Sequence, residues 1–324
     1  MLDALLDPLL KPLLGALSPA GERARLSVLI FHRVLPEPDP LFPEEISAAQ
    51  FDAICGWLAA WFNVLPLDQA VARLDAASLP PRALAITFDD GYADNHDVAL
   101  PILQRHGLCA TFFVATGFLD GGRMWNDTVI ESLRRTPLAR LDLDRLALPL
   151  GAHDTATPAQ RRQAIDTLIG RIKYLDIDAR QNLVDDIAAC AQVAPPTDLM
   201  MSSPQVRAMR AAGMGIGAHT VSHPILARLQ PDAARAEMRA SKQALEALLG
   251  EPVRLFAYPN GKPGEDYSPQ SVALARELGF EAAVSTAWGA ARRSTDRFQL
   301  PRFSPWDRTR ARFGARLAHN LFAR

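Results

Sequence analysis

Two carboxylates stand side by side in the stretch 84–94, "LAITFDDGYAD", where an apolar run ends in Asp89, Asp90 and Gly91. Like charges this close oppose each other's ionisation. The pair therefore needs a cation between its members or a structural task, such as capping the next helix. A second stretch, "AHTVSHP", sets His219 and His223 four residues apart. On a helical turn that spacing puts both imidazoles on one face, where they can share a metal ion. Two histidines with one carboxylate are a common catalytic set for Zn²⁺, with a coordination position left for water. The remaining carboxylate is then free to take a proton from that water. The chemistry expected of these four residues is metal-assisted hydrolysis.

Both stretches follow strand-like runs. "SVLIF" (27–31), "ALAITF" (83–88), "CATFFVA" (109–115), "MGIGAHT" (214–220), "VRLFAY" (253–258) and "FEAAVST" (280–286) alternate with helical segments. Ser47 and Gln50 form a capping box, Ser203-Pro204 and Ser268-Pro269 open helices, and Gly107, Gly213, Gly250 and Gly279 close them. Strands apolar on both faces, separated by helices, predict a parallel α/β sheet or barrel. Barrel active sites gather at the C-terminal ends of the strands, where both stretches lie. Residues 128–201 break the rhythm with helical segments near 158–174 and 178–192, rich in Arg, Asp and Gln. They predict a helical insertion between two barrel segments, 26–127 and 202–305.

The ends differ from the middle. Leu2, Leu5, Leu6, Leu9 and Leu13 follow helical spacing and predict an amphipathic helix within 1–25. The tail, 306–324, carries five arginines from Arg308 onward, with Phe313, Leu317 and Leu321 at helical spacing. Such a tail is either a solvated helix or a surface for anionic lipid, that is, a peripheral membrane contact. The chain has 324 residues, 48% hydrophobic, with a formal net charge of −1, and that balance gives no reason to expect nucleic acid as a partner. Cys55, Cys109 and Cys190 form no close pair and read as thiols in a reducing compartment. With no basic-then-apolar leader at the start, a cytoplasmic location is expected. Oligomeric state is not legible.

"TFDDG" (87–91), "HTVSH" (219–223) and "FAYPNG" (256–261), in this order, resemble the motifs of the polysaccharide deacetylases of carbohydrate esterase family 4. The resemblance covers roughly 26–125 and 202–303, and is to members whose barrel is circularly permuted. It implies a distorted (β/α) barrel of about seven strands. It also implies a divalent metal, most often Zn²⁺, and an N-acetylated saccharide substrate, polymeric or a glycan precursor. Asp89 would be the catalytic base; Asp90, His219 and His223 would hold the metal. The backbone N–H of Asn260 would face the oxyanion, beside Tyr258. Many members carry an arginine where this chain has Ala257, so Arg254 or Arg302 must replace it, and Arg302, after a short apolar stretch, is the choice. The family's C-terminal Leu-x-His is also missing; His32, at the end of the first strand, is the expected general acid. Trp125 and Trp288 either stack on sugar or pack. Other readings of the chain are a hydrolase of a non-sugar amide or imide, and a barrel that only binds glycans.

Overall fold

The structure, a computed structural model, describes residues 2–304 and 307–322, with backbone alone for 2–9. Its strands, in chain order, are β1 (Leu26–Phe31), β2 (Asn63–Val64), β3 (Ala83–Phe88), β4 (Thr111–Val114), β5 (Arg140–Asp142), β6 (Ala152–Asp154), β7 (Gly215–Ala218), β8 (Leu255–Ala257) and β9 (Ala282–Val284). All but β5 and β6 join one parallel sheet in the order β1-β3-β4-β7-β8-β9, with β2 on the start of β3. The segment after β9 links the two ends. Leu300 bridges to Val284 of β9, and Phe303 bridges to Leu29 of β1. The sheet is thus curled into a distorted (β/α) barrel.

Side chains alternate across this sheet with period two. Val28, Ala83, Ala85, Phe113, Ala257 and Val284 turn to the inside, while Leu29, Phe31, Leu84, Phe88, Phe112 and Phe256 meet the helices. The interior is narrow, so most of its residues are small. Phe113 fills it by lying across Gly217, where any Cβ would overlap its ring. Thr87 continues the inward series, and Asp89 follows it at the C-terminal rim.

The helices are α1 (Leu2–Leu17), α2 (Ala48–Trp61), α3 (Leu67–Asp75), α4 (Leu100–Arg105), α5 (Trp125–Arg135), α6 (Pro158–Ile172), α7 (Ile177–Cys190), α8 (Ser203–Ala211), α9 (Pro231–Leu249), α10 (Pro269–Glu277) and α11 (Arg310–Phe322). Their ends are set by local chemistry. Ser202, Ser268 and Thr157 make capping boxes with Gln205, Ser271 and Gln160, and Gly250 ends α9 at φ 69°.

Helices α1 and α11 pack together against α2. Leu10 and Leu14 are buried, whereas Leu13, expected on the same face, is 49% exposed. The stripe therefore runs one step away from the expected register; the side chains of Leu2, Leu5, Leu6 and Leu9 lie outside the described residues. Phe313, Leu317 and Leu321 are fully buried, and Gly314 admits Leu10. No described helix is long and apolar enough to cross a membrane.

Between β4 and β7 lie α5, the β5–β6 hairpin, α6 and α7. They bury their own apolar cluster, which includes Leu133, Leu141, Leu168 and Ile187 and takes Leu41 from the barrel side. The hairpin has no counterpart in the sequence expectation, because only Leu141 of its strands is buried. Both stems of this region bond to the loop after Asp90. Gly91 O accepts Met201 N at 2.9 Å, Leu199 O accepts Ala93 N at 2.8 Å, and Tyr92 Oη donates to Asp127 at 3.2 Å.

Replacing Gly217 by Ala forces its Cβ into the Phe113 ring and toward Leu255 O. The expected cost is about 1–3 kcal/mol of stability from overpacking. A denaturant midpoint that falls at unchanged slope checks it; an unchanged midpoint would mean that the ring has room to move.

Candidate active site

Asp89 and Asp90 are both buried, at 3% and 7% exposure, and each has its own partners. Asp89 receives a two-pronged ion pair from Arg302: Nη1 to Oδ1 and Nη2 to Oδ2, both 2.7 Å. Arg302 is itself buried, and its Nε donates to Ser285 O at 2.8 Å. Burial works against charge on Asp89, but Arg302, and then His219, more than offset it and hold the carboxyl below its usual range. Arg254 has a different fate; it is exposed and pairs with Glu281.

Asp90 leaves the chain in another direction because its φ is +75°. Its Oδ1 lies 3.4 Å from the Nε2 atoms of both His219 and His223. That oxygen is buried without a hydrogen-bond partner. His219 Nδ1 sits 2.8 Å from Ala257 O, which sets Nδ1 as the protonated nitrogen and points a lone pair on Nε2 toward Asp90. Burial pushes His223 down to about 4, so its imidazole is neutral. The three ligand atoms lie within 4.8 Å of one another. For His219, burial works against charge, but Asp89 and Asp90 outweigh it and hold the imidazole above its usual range. An orphaned carboxylate oxygen 3.4 Å from two imidazole nitrogens suits a divalent cation.

The two histidines do not meet on a helical turn. Residues 219–223 form a loop in which Thr220 (φ 65°) and His223 (φ 52°) are left-handed. Such a conformation strains a β-branched residue and persists only when its surroundings fix it. Here Glu237 of α9 fixes it: its Oε2 accepts Val221 N at 2.8 Å and Ser222 N at 2.9 Å, and its Oε1 accepts Ser222 Oγ at 2.7 Å. His223 N donates to Thr220 Oγ1 at 3.1 Å.

A cavity of about 310 Å³ opens over these groups, lined by His32, Asp89, Asp90, Trp125, His219, His223, Asn260 and Thr286, among others. The backbone of His32 is held by Asn95, whose Nδ2 donates to His32 O at 2.9 Å. Next to it Asp94 binds Arg33 Nε at 2.8 Å and Val34 N at 3.1 Å. Asn260 is left-handed (φ 57°), and among the described residues no protein group accepts its N–H. Two expected substrate residues lie elsewhere. The Tyr258 ring is fully buried, stacks on Tyr267 and donates its hydroxyl to Phe298 O at 3.0 Å. Trp288 is 48% exposed beside His319 and does not line the cavity. Glu237, Asn95 and Asp94 escaped the sequence reading. The capping-like "GYADN" run after Gly91 was the one available signal for the last two.

If Glu237 holds the histidine loop, Glu237→Gln, which loses the charge-assisted bonds, should weaken Co²⁺ or Zn²⁺ affinity by about 10–100-fold. Titration of the metal-free protein with Co²⁺, read by its absorption, checks this. Unchanged affinity would mean that the loop holds itself.

A family profile of polysaccharide deacetylases matches residues 76–138 and 180–283, just over half of the chain. YxkH of Bacillus subtilis strain 168, provisionally named a polysaccharide deacetylase, is 21% identical over 281 residues, 86% of this chain and 71% of its own. The fold is similar to that of the Streptococcus pyogenes deacetylase PplD in complex with acetate. That similarity has a TM-score of 0.60 and 20% identity, and covers 87% of this chain and 92% of PplD. It is similar also to IcaB from Ammonifex degensii, with TM-score 0.59 and 19% identity, over 94% and 99% of the two chains. With the profile covering the strand that carries Asp89 and Asp90 as well as the His219–His223 loop, the chain belongs to the polysaccharide deacetylase family, hydrolases that act on carbon–nitrogen bonds other than peptide bonds.

Proposed function

We propose that this protein is a metal-dependent deacetylase that hydrolyses the N-acetyl group of an amino sugar in a polysaccharide or glycan precursor. One observation carries the reading: the orphaned Asp90 oxygen faces two imidazole nitrogens in a cavity that is also lined by Asp89, itself paired with Arg302 behind it. Asp90, His219 and His223 are the residues that would hold the cation, Zn²⁺ by preference of the donor set. Bound there, such an ion polarises a carbonyl oxygen and lowers the pKa of a water.

The chain's own groups do the rest. Asp89 takes the proton of the attacking water, and Arg302 fixes its carboxylate so that both oxygens keep one orientation. Asn260 N–H is available to donate to the oxyanion that develops on the acetyl carbonyl. His32 delivers a proton to the departing nitrogen, since an amide anion is too basic to leave unaided. Trp125 gives the cavity an apolar wall suited to a sugar face. The three motifs and the domain division follow from one plan, in which the barrel (26–127 and 202–305) holds the reacting groups and the 128–201 insertion covers them.

Asp90→Ala, His219→Ala and His223→Ala should each lose bound metal, whereas Asp89→Asn should keep it and lose turnover. Elemental analysis beside acetate release from an N-acetylglucosamine oligomer decides this. Equal metal loss in Asp89→Asn would undo the division of roles.

His32→Ala should keep metal and lower amide turnover by about 10²–10⁴-fold. An activated aryl acetate, whose leaving group needs no proton, should suffer far less. An equal fall for ester and amide would pass the acid's role to another group.

A further inference from the structure

The wall that the insertion gives the catalytic cavity is charged with one sign. Lys173, just past α6, and Arg180 of α7 line it together with Trp125. Arg180 is 9% exposed, and its guanidinium carbon lies 4.8 Å from the centre of the Trp125 ring. Its Nη1 donates to Lys173 O at 3.1 Å, and its Nε is buried without a partner. Arg302, the other buried arginine among the described residues, has the carboxylate of Asp89, and the partly buried Arg33 and Arg134 have those of Asp94 and Asp39.

Arg180 has none within ion-pair distance among the described residues, and neither has Lys173. Asp176, whose field reaches Arg180, turns its Oδ1 to the N–H groups of Asp178 and Ala179 instead. The cavity's own acids do not balance these cations either, because Asp89 is matched by Arg302 and Asp90 faces the two imidazoles. At the rim, Tyr174 is 66% exposed, with Lys173 Nζ 5.5 Å and Arg228 Cζ 5.4 Å from its ring centre.

A guanidinium taken out of water without a counter-ion is costly. Stacking on Trp125 fixes its plane, which suits a two-pronged grip on a planar or tetrahedral oxyanion. A neutral chain of N-acetylhexosamine can stack on Trp125 and accept hydrogen bonds from such a wall, but it brings no counter-charge. We propose that the saccharide taken by this enzyme carries an oxyanion close to the acetamide, a phosphate ester or a carboxylate, bound by Arg180 and Lys173. The proposal rests on the deacetylase reading above for the acetamide, and on the insertion alone for the anion.

The test compares acetate release by the metal-loaded protein from three substrates: a neutral N-acetylglucosamine tetramer, a diphosphate-linked N-acetylglucosamine, and a glucuronate–N-acetylglucosamine tetrasaccharide. At least one anionic substrate should exceed the neutral one in kcat/KM by about 10–100-fold, as charge-assisted hydrogen bonds allow. Which one does so tells phosphate from carboxylate. In Arg180→Met and Lys173→Met that ratio should fall toward one, with metal content unchanged. Should Arg180→Met not fold, Lys173→Met, at a half-buried position, carries the same comparison.

A second arm needs no turnover: calorimetry of N-acetylglucosamine 1-phosphate against N-acetylglucosamine, on Asp89→Asn and on Asp89→Asn with Lys173→Met or Arg180→Met. A phosphate preference that the Lys173 or Arg180 change abolishes, with no acetate released from any substrate by the unmutated metal-loaded protein, would keep the anion site and sink the deacetylase reading. A neutral tetramer used as well as the anionic substrates, or a preference that survives both substitutions, overturns the proposal.

Discussion

Two buried carboxylates that are neighbours in the chain stay charged only if each has its own positive surroundings, and the site is arranged around that requirement. Strand alternation sends Asp89 inward, where Arg302 meets it. A left-handed backbone at Asp90 sends the second carboxylate away from the first, toward His219 and His223. Arg302 arrives on the segment whose residues Leu300 and Phe303 join β9 to β1. Closing the sheet and compensating Asp89 are therefore one event, since the guanidinium cannot reach the carboxylate until that segment is in place. A buried pair of this kind adds little net stability but is severe to break, which ties the barrel's closure to the integrity of the Asp89–Arg302 pair.

Backbone strain follows the same map. Of the non-glycine residues with left-handed backbone among those described, Asp90, Thr220, His223 and Asn260 belong to the three motifs. Each such residue costs of order 1–3 kcal/mol and has to be held by its neighbours. Glu237 and the Thr220 hydroxyl hold the histidine loop. Thr286 Oγ1 donates to Asn260 O at 3.0 Å and steadies the third motif. The strained positions let side chains from three strand ends converge on one point, which relaxed extended backbone would send to alternate faces.

The barrel, and the convergence of Asp89, Asp90, His219 and His223 on one cavity, are legible because they rest on strong local signals: apolar runs between capped helices, and acids or histidines where those runs stop. Arg302 was legible for the same reason, as a charge at the end of an apolar stretch. The meeting of His219 with His223 was read as a helical spacing, whereas the structure achieves it with a strained loop. Residue spacing alone does not separate those two geometries. Glu237 looked like any solvated charge on an amphipathic helix, and only the neighbouring loop gives it a task. Tyr258 sits in a motif beside Asn260, yet strand alternation takes its ring into the core while Asn260 reaches the rim.

The insertion is held at its stems by the loop after Asp90, and along α5 and α6 by the 39–44 segment, through Arg134–Asp39 and Arg162–Glu44. The family profile passes over residues 139–179, which hold the hairpin, α6 and Lys173. The stems on either side bond to Gly91, Tyr92 and Ala93, directly after Asp89 and Asp90. Tyr92 also lies under Arg33, whose ion pair with Asp94 secures the strand end carrying His32. Burial pushes the Asp127 carboxyl up to about 7, with Arg33 opposing and Asp90 adding to the shift, so its bond to Tyr92 sits within the field of Asp90. The far part of the insertion supplies Lys173 to the cavity wall, beside Arg180 and Trp125. A change in the stems acts on the loop that aims Asp90. Within the insertion, then, the stems bear on the loop that carries Asp90, and the far part bears on the cavity wall at Lys173 and Arg180.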